Sequence, residues 1–157
     1  MPSVTESLFA FGVGARVVGV TDYCIHPADG VATKTKIGGT KNPRVEQILG
    51  LEPDLVTANV EENMKRDVDA LEARGILVFV TFQQTVRGAI DELCAFAQLV
   101  QAQNAGSIIG SIEASLVTRQ VSPPHPRVFV ALWRAPWMTV NGLGRASETL
   151  SELIHGK

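Results

Sequence analysis

Asp22, Cys24 and His26 bring a carboxylate, a thiol and an imidazole into one short segment. These are the ligand types that zinc selects. Alternating positions in a single loop seldom face one ion without ligands from elsewhere, and His125 and His155 lie far along the chain. Loop residues with ordinary hydrogen bonds are the preferred reading, so no metal centre is assigned. A small metal-dependent enzyme built on Cys24 and His26 is kept as the least favoured rival. Phosphate chemistry fails on pattern. Gly12-Val13-Gly14-Ala15-Arg16-Val17 has valine where a dinucleotide loop needs its third glycine, and it precedes a strand pattern instead of opening a helix. No Walker sequence occurs, and Gly110-Ser111 lacks the G-x-S-x-G context of a hydrolase elbow. No catalytic residue is assigned, and the chain is read as a non-enzyme.

Binding chemistry is better represented. Trp133, Trp137 and Met138 surround Arg134-Ala135-Pro136. They suit the core at a strand end, and equally a flat apolar surface for a large planar ligand with Tyr23 opposite. Prolines and glycines on both sides favour a loop there. Glu61-Glu62 ahead of Lys65-Arg66 reads as a solvated helix face with supporting i,i+4 pairs, the glutamates sitting at the positive end of the helix dipole. Glu46 is alone on a short helix, and its surroundings give it no role.

The elements that would position these residues alternate. Ser3-Val4-Thr5-Glu6 has the form of a capping box and predicts a helix over 4–11 ending at Gly12. A β-branched run predicts a strand over 16–21, followed by a Pro, Gly, Thr and Asp-rich loop over 22–40. A helix over 43–49, a strand over 55–58, a helix over 61–74 closed by Gly75, and a strand over 76–81 come next. Val86, Ile90, Leu93, Ala97 and Val100 form one helical stripe, and Ala105, Ile109, Ile112 and Leu116 a second. Ser122-Pro123-Pro124-His125-Pro126 must interrupt a helix. A strand over 127–133 and a helix over 147–155 follow. Strand–helix alternation implies an α/β fold with a mainly parallel sheet flanked by helices.

Bulk properties agree with a folded binding domain. The 157 residues are 45% hydrophobic and 19% charged, enough apolar surface for a core. A net charge of -2 gives no electrostatic reason to expect a nucleic-acid partner. No stretch approaches the ~20 apolar residues of a membrane span. The N-terminus lacks the basic and apolar segments of a secretory signal. Cys24 and Cys94 are too few for a disulfide framework.

The order of several segments resembles the cobalamin-type substrate-binding proteins of ABC importers, within the helical-backbone (class III) group. The matching residues are Pro2-Ser3-Val4-Thr5-Glu6 through Gly12, then Arg16-Val17-Val18-Gly19-Val20-Thr21-Asp22-Tyr23-Cys24 and Ile37-Gly38-Gly39. Asn42-Pro43-Arg44-Val45-Glu46-Gln47-Ile48-Leu49, Leu51-Glu52-Pro53-Asp54-Leu55-Val56, Glu61-Glu62-Asn63 and the run from Leu132 to Val140 continue the match. The resemblance implies two α/β lobes joined by a long helix, with ligand held in the cleft between them. Here that means an N-terminal lobe over 1–102, a connecting helix over 103–121, and the start of an incomplete second lobe over 122–157. Relative to the family the chain reads as truncated at both ends.

Carried over by position, the ligand-binding candidates are Ser3, Val4, Tyr23, Thr40, Lys41, Asn59, Glu61, Trp133 and Trp137. Glu46 falls where the family docks onto arginines of the permease. The resemblance implies a cobalamin or other corrinoid ligand, with haem or a ferric siderophore next, no intrinsic cofactor, and a periplasmic or extracytoplasmic location. The partners it implies are the importer permease and the chelate. The alternative is a truncated relative that no longer transports and self-associates, as a homodimer, through an unpaired sheet edge and a half-built lobe.

Overall fold

The computed structural model describes residues 1–117, together with the backbone of 131–134 and 137–139. The chain divides into two compact units, one comprising 1–82 and 95–105, the other 83–94 and 106–157. The first unit carries the α/β pattern. Helix α1 (Pro2–Ala10) leads through a 3-10 turn at Gly14–Arg16 to β1 (Gly19–Val20). Then come α2 (Ala28–Ala32), β2 (Thr35–Lys36), α3 (Val45–Gly50), β3 (Leu55–Asn59), α4 (Lys65–Glu72) and β4 (Leu77–Thr81).

Both strand pairs are parallel, so each needs a helical crossover. β1 pairs with β2 in register Gly19↔Thr35, and β3 pairs with β4 from Leu55↔Leu77 to Asn59↔Thr81. The expected parallel α/β layer is therefore present, as two two-stranded sheets. Ile48 of α3, Ala58 of β3 and Leu71 of α4 are buried in this unit. Phe96, Ala97 and Val100, at and just beyond the end of α5 (Val86–Leu99), are buried as well. Phe96 meets Phe79 of β4 with ring centroids 5.3 Å apart. The Phe9 ring is pinched between Gly14 and Gly30, where a β-carbon would come closer than 3.0 Å to ring atoms. Those glycines let α1, the 3-10 turn and α2 close on one another.

Several expectations are corrected. Helix α1 starts at Pro2 because proline suits the first helical position. Ser3 thus lies inside the helix, where its carbonyl accepts from Ser7, and no side chain caps the terminus. The strand expected over 16–21 is cut to Gly19–Val20, since Gly14–Arg16 coils into the 3-10 turn. The segment 22–40 is more than a loop, as it holds α2 and β2. Helix α4 begins at Lys65, so Glu61 and Glu62 stand in the preceding turn and not at the helix terminus. The i,i+4 ion pair on that helix is Lys65–Asp69 at 2.6 Å. Gly75 ends the segment as expected, in the left-handed region at φ 81°.

In the second unit, the first part of α5 is joined to α6 (Ala105–Val117) by an ion pair, Arg87 to Glu113, at 2.8 Å. Ile90 and Ile109 are buried, whereas Ile112 of the expected stripe is exposed. β5 (Ala131–Arg134) and β6 (Trp137–Thr139) pair antiparallel, with Trp133↔Met138 and Arg134↔Trp137 in register. Trp133 and Trp137 therefore stand on strands and not on a loop. The interruption at 122–126, the strand start at 127–130 and the helix at 147–155 lie outside the described residues.

Leu71 is 4% exposed and Leu77 55%. Leu71→Ala should lower unfolding free energy by about 2–5 kcal/mol, through lost burial plus a cavity. Leu77→Ala should change it by about 0.5 kcal/mol or less. Urea unfolding of the two variants checks the ranking.

Candidate functional site

Parallel strands deliver their following loops to one end of a sheet. In open α/β folds that end is where ligands are bound. Here the chain leaves β1 for Thr21–Cys24, β2 for 37–41, β3 for 60–63 and β4 beyond Thr81, and the loops are tied together by hydrogen bonds. Asn59, 7% exposed, is the knot. Its backbone N–H donates to Asn63 Oδ1 at 2.9 Å, and its own Oδ1 accepts the Glu61 N–H at 2.9 Å. Its Nδ2 donates to Thr81 Oγ1 at 3.2 Å, and the Thr81 hydroxyl donates to the Ala58 carbonyl at 3.2 Å. These bonds pair polar groups of the backbone and side chains at the ends of β3 and β4.

Two bonds carry this knot across to the loop after β2. Asn63 Nδ2 donates to the Thr40 carbonyl at 2.9 Å, and Lys41 Nζ donates to the Glu61 carbonyl at 2.6 Å. Gly39 holds the loop close, since a β-carbon there would sit 2.6 Å from Asn42 Oδ1 and 3.6 Å from the Tyr23 ring. Tyr23 is thereby placed beside the Gly39–Lys41 turn with 64% of its surface exposed. Val60 of the loop after β3, and Ile25 and Met64 just beyond these loops, are exposed too. A rim of apolar side chains and one ammonium on hydrogen-bonded loops can hold a large ligand by contact. It contains no nucleophile paired with a base.

Thr40, Lys41, Asn59 and Glu61 are joined directly, and Tyr23 joins them through Gly39. Ser3 is exposed on α1, and Val4 lines a half-open pocket of about 430 Å³ bordered by residues of β1 and β3. Trp133 and Trp137 belong to the second unit. Glu46 lies in the first turn of α3, exposed, with a long 3.9 Å contact to Arg74. Asn63 and Thr81 were not singled out from sequence as site residues. The i,i+4 spacing of Asn59 and Asn63 across a strand end was the available signal.

Of the metal candidates, Cys24 turns inward at 1% exposure. Its Sγ is 3.2 Å from both Thr5 Oγ1 and Thr21 Oγ1, and Lys36 Nζ donates to its carbonyl at 2.8 Å. Among the described residues no group of three His, Cys, Asp or Glu is arranged to hold an ion. Nor, among them, is any helix long and apolar enough to cross a membrane.

The profile of the periplasmic binding protein family matches residues 1–110. The chain belongs to that family. Its members are substrate-binding components of ABC importers, not enzymes, and are periplasmic; what they bind is cargo and not a resident cofactor. The chain is 29% identical over 154 residues to the vitamin B12-binding protein of Yersinia pestis (strain Pestoides F), covering 96% of this chain and 55% of that one. It thus spans about half the length of the curated relatives it matches. The periplasmic vitamin B12 binding protein of Vibrio cholerae shares its fold at TM-score 0.71 and 23% identity, over 96% of this chain and 60% of that one. A possible iron-binding periplasmic solute-binding protein of Staphylococcus epidermidis gives TM-score 0.74 at 21% identity, over 98% and 62%. The periplasmic haem-binding protein of Roseiflexus sp. RS-1 gives 0.66 at 24% identity, over 74% and 45%.

Burial raises the pKa of the Cys24 thiol, but its hydrogen bonds with the Thr21 and Thr5 hydroxyls, together with the positive amino terminus and the Thr21 backbone, outweigh it and leave the pKa below its ordinary 9.0. A group whose folded pKa is depressed adds stability that is complete above its unfolded value and is lost as pH falls through the folded value. Stability relative to Cys24→Ala should therefore rise from neutral pH to just above 9.0. Paired urea titrations at the two pH values check the sign.

Proposed function

We propose that this chain is the ligand-capturing first lobe of a substrate-binding protein that delivers a large chelate, foremost a corrinoid, to an ABC importer. The observation that carries this reading is the knot around Asn59. It fixes Thr40, Lys41 and Glu61 beside the exposed Tyr23 at the ends of parallel strands. Tyr23, Ile25, Val60 and Met64 offer apolar surface to one face of a macrocycle, which aromatic and methionine side chains stabilise by contact. Loop N–H groups and the Lys41 ammonium suit peripheral carboxamides or carboxylates. Haem, which presents two carboxylates on a planar ring, is the next ligand on this reading, and a ferric siderophore the third. Ser3, Val4, Trp133 and Trp137 enter the proposal on the family resemblance alone, as does a periplasmic location.

The deciding experiment is a visible-absorbance titration of the chain with cobalamin and, separately, with haem, checked by equilibrium dialysis. Saturation at one cobalamin per chain is the expected result. Tyr23→Ala should weaken it about tenfold, the equivalent of ~1.4 kcal/mol of lost aromatic contact. Saturation by haem alone would transfer the assignment to haem, and absence of both would reject chelate capture by this lobe.

Glu46, 84% exposed on its side chain, is proposed to meet cationic permease residues. Its ion pair with Arg74 is too long and too solvated to hold it. Glu46→Arg should leave the cobalamin titration unchanged while lowering chelate-stimulated ATP hydrolysis by a reconstituted importer. An unchanged ATPase would remove Glu46 from the interface.

A further inference from the structure

Charge is sorted along the first unit. The eleven residues from Lys34 to Arg44 include Lys34, Lys36, Lys41 and Arg44 and no acid. The whole chain carries -2, so the residues outside this segment carry -6 between them. The four cations are not neutralised locally. Among the described residues none of them makes an ion pair, with the neighbouring Asp29 and Glu46 or with any other acid. Backbone orients them instead. Lys36 Nζ donates to the Cys24 carbonyl at 2.8 Å, and Lys41 Nζ to the Glu61 carbonyl at 2.6 Å. Arg44 Nη1 donates to the Lys36 carbonyl at 3.1 Å and to Gln47 Oε1 at 3.2 Å. A carbonyl positions a cation without cancelling its charge. An ammonium has three donors and a guanidinium five, so each head keeps donors for something else.

The fold gathers these heads around β2. Lys34 directly precedes the strand and Lys36 ends it. The chain then doubles back through a Gly38–Pro43 bridge, and the Arg44 N–H donates to the Ile37 carbonyl at 2.8 Å, which returns Arg44 to the strand it left. A lysine on an outer strand blocks stray pairing, but one charge does that, whereas four without counter-charges make a positive field. Neither the 430 Å³ pocket nor a second of about 50 Å³ is lined by any of the four, so they do not converge on a cavity for a small anion. The segment also has no aromatic residue on which a base could stack. A positive patch that is not a pocket fits a surface of repeated negative charges. We propose that Lys34, Lys36 and Arg44 form a contact surface for the anionic headgroups of a lipid bilayer. Handing cargo to an importer takes place at a membrane, so phospholipid is the anion met at every encounter. The same headgroups repel the -6 carried by the other residues, which selects the side that faces the bilayer. This surface is independent of which chelate the rim holds.

The test is co-sedimentation of the chain with phosphatidylcholine vesicles containing about 30% phosphatidylglycerol, against vesicles of phosphatidylcholine alone. Retention on the anionic vesicles only is expected, and it should vanish as salt rises from roughly 50 mM to about 500 mM. Lys34→Gln should weaken partition about fivefold, the ~1 kcal/mol that one basic residue contributes near such a surface. The Lys34 side chain makes no bond among the described residues, so this variant keeps the fold. Arg44→Gln should weaken partition by a similar factor and Arg44→Lys should restore it, since the lysine keeps the charge and gives up the fork. Arg87→Gln, in the second unit, makes the same change in net charge and should have no effect. Lys41 adds to the field but belongs to the rim, so it is not varied. No retention, or equal retention on both kinds of vesicle, overturns the proposal. So does a loss in Arg87→Gln as large as that in Lys34→Gln. Displacement by millimolar inorganic phosphate at constant ionic strength would give the patch to free phosphate, and tighter binding to polyglutamate than to the vesicles would give it to an acidic protein. Either result overturns a lipid surface.

Discussion

Parallel pairing is the constraint from which the rest follows. A parallel pair cannot be closed by a tight turn, so the chain must cross over through a helix and return to start the next strand at the same end. Every crossover in the first unit therefore begins at one rim, and the loops that begin there compete for the same space with their polar backbones exposed. Asn59 resolves this competition. Placed at the last position of β3, its side chain and backbone link the turn at 61–63 and the end of β4, and Asn63 extends the link to the loop after β2. The shape of this rim is thus a by-product of satisfying strand ends. Its apolar residues can remain exposed because the backbone beneath them is already paired.

Sequence was most informative where local chemistry and tertiary context agreed. β3 and β4 were expected at 55–58 and 76–81 and lie within a residue of those limits, since β-branched runs there are bounded by Pro53 and Gly75. It was least informative over 22–40. Turn-forming residues there conceal α2 and a two-residue strand, and β2 exists only because β1 lies alongside it. The capping-box pattern failed because Pro2 starts the helix earlier, and a pattern of spacing carries no information on which residue comes first in space. Within the site, Tyr23, Thr40, Lys41, Asn59 and Glu61 were reached through family resemblance, since no periodicity marks them. Thr81 read as one more strand residue, and its hydroxyl gains a role only when β3 arrives beside it.

Family membership and geometry also separate two surfaces. The rim at the strand ends is shallow, mixed in character and built from loops. The 430 Å³ space is half-open, mostly apolar and bordered by residues of β1 and β3. Val4 illustrates the difference, because position in the family placed it with the rim while in the structure it lines the 430 Å³ pocket.

The pinch of Gly14 and Gly30 on the Phe9 ring ties three positions into one mutational unit. Neither glycine can acquire a methyl group unless the ring moves, so substitution at 14 or 30 is coupled to position 9. Shrinking position 9 alone leaves a void facing both glycines, which only larger residues at 14 or 30 could refill. Among descendants of this sequence the three positions should therefore tend to change together.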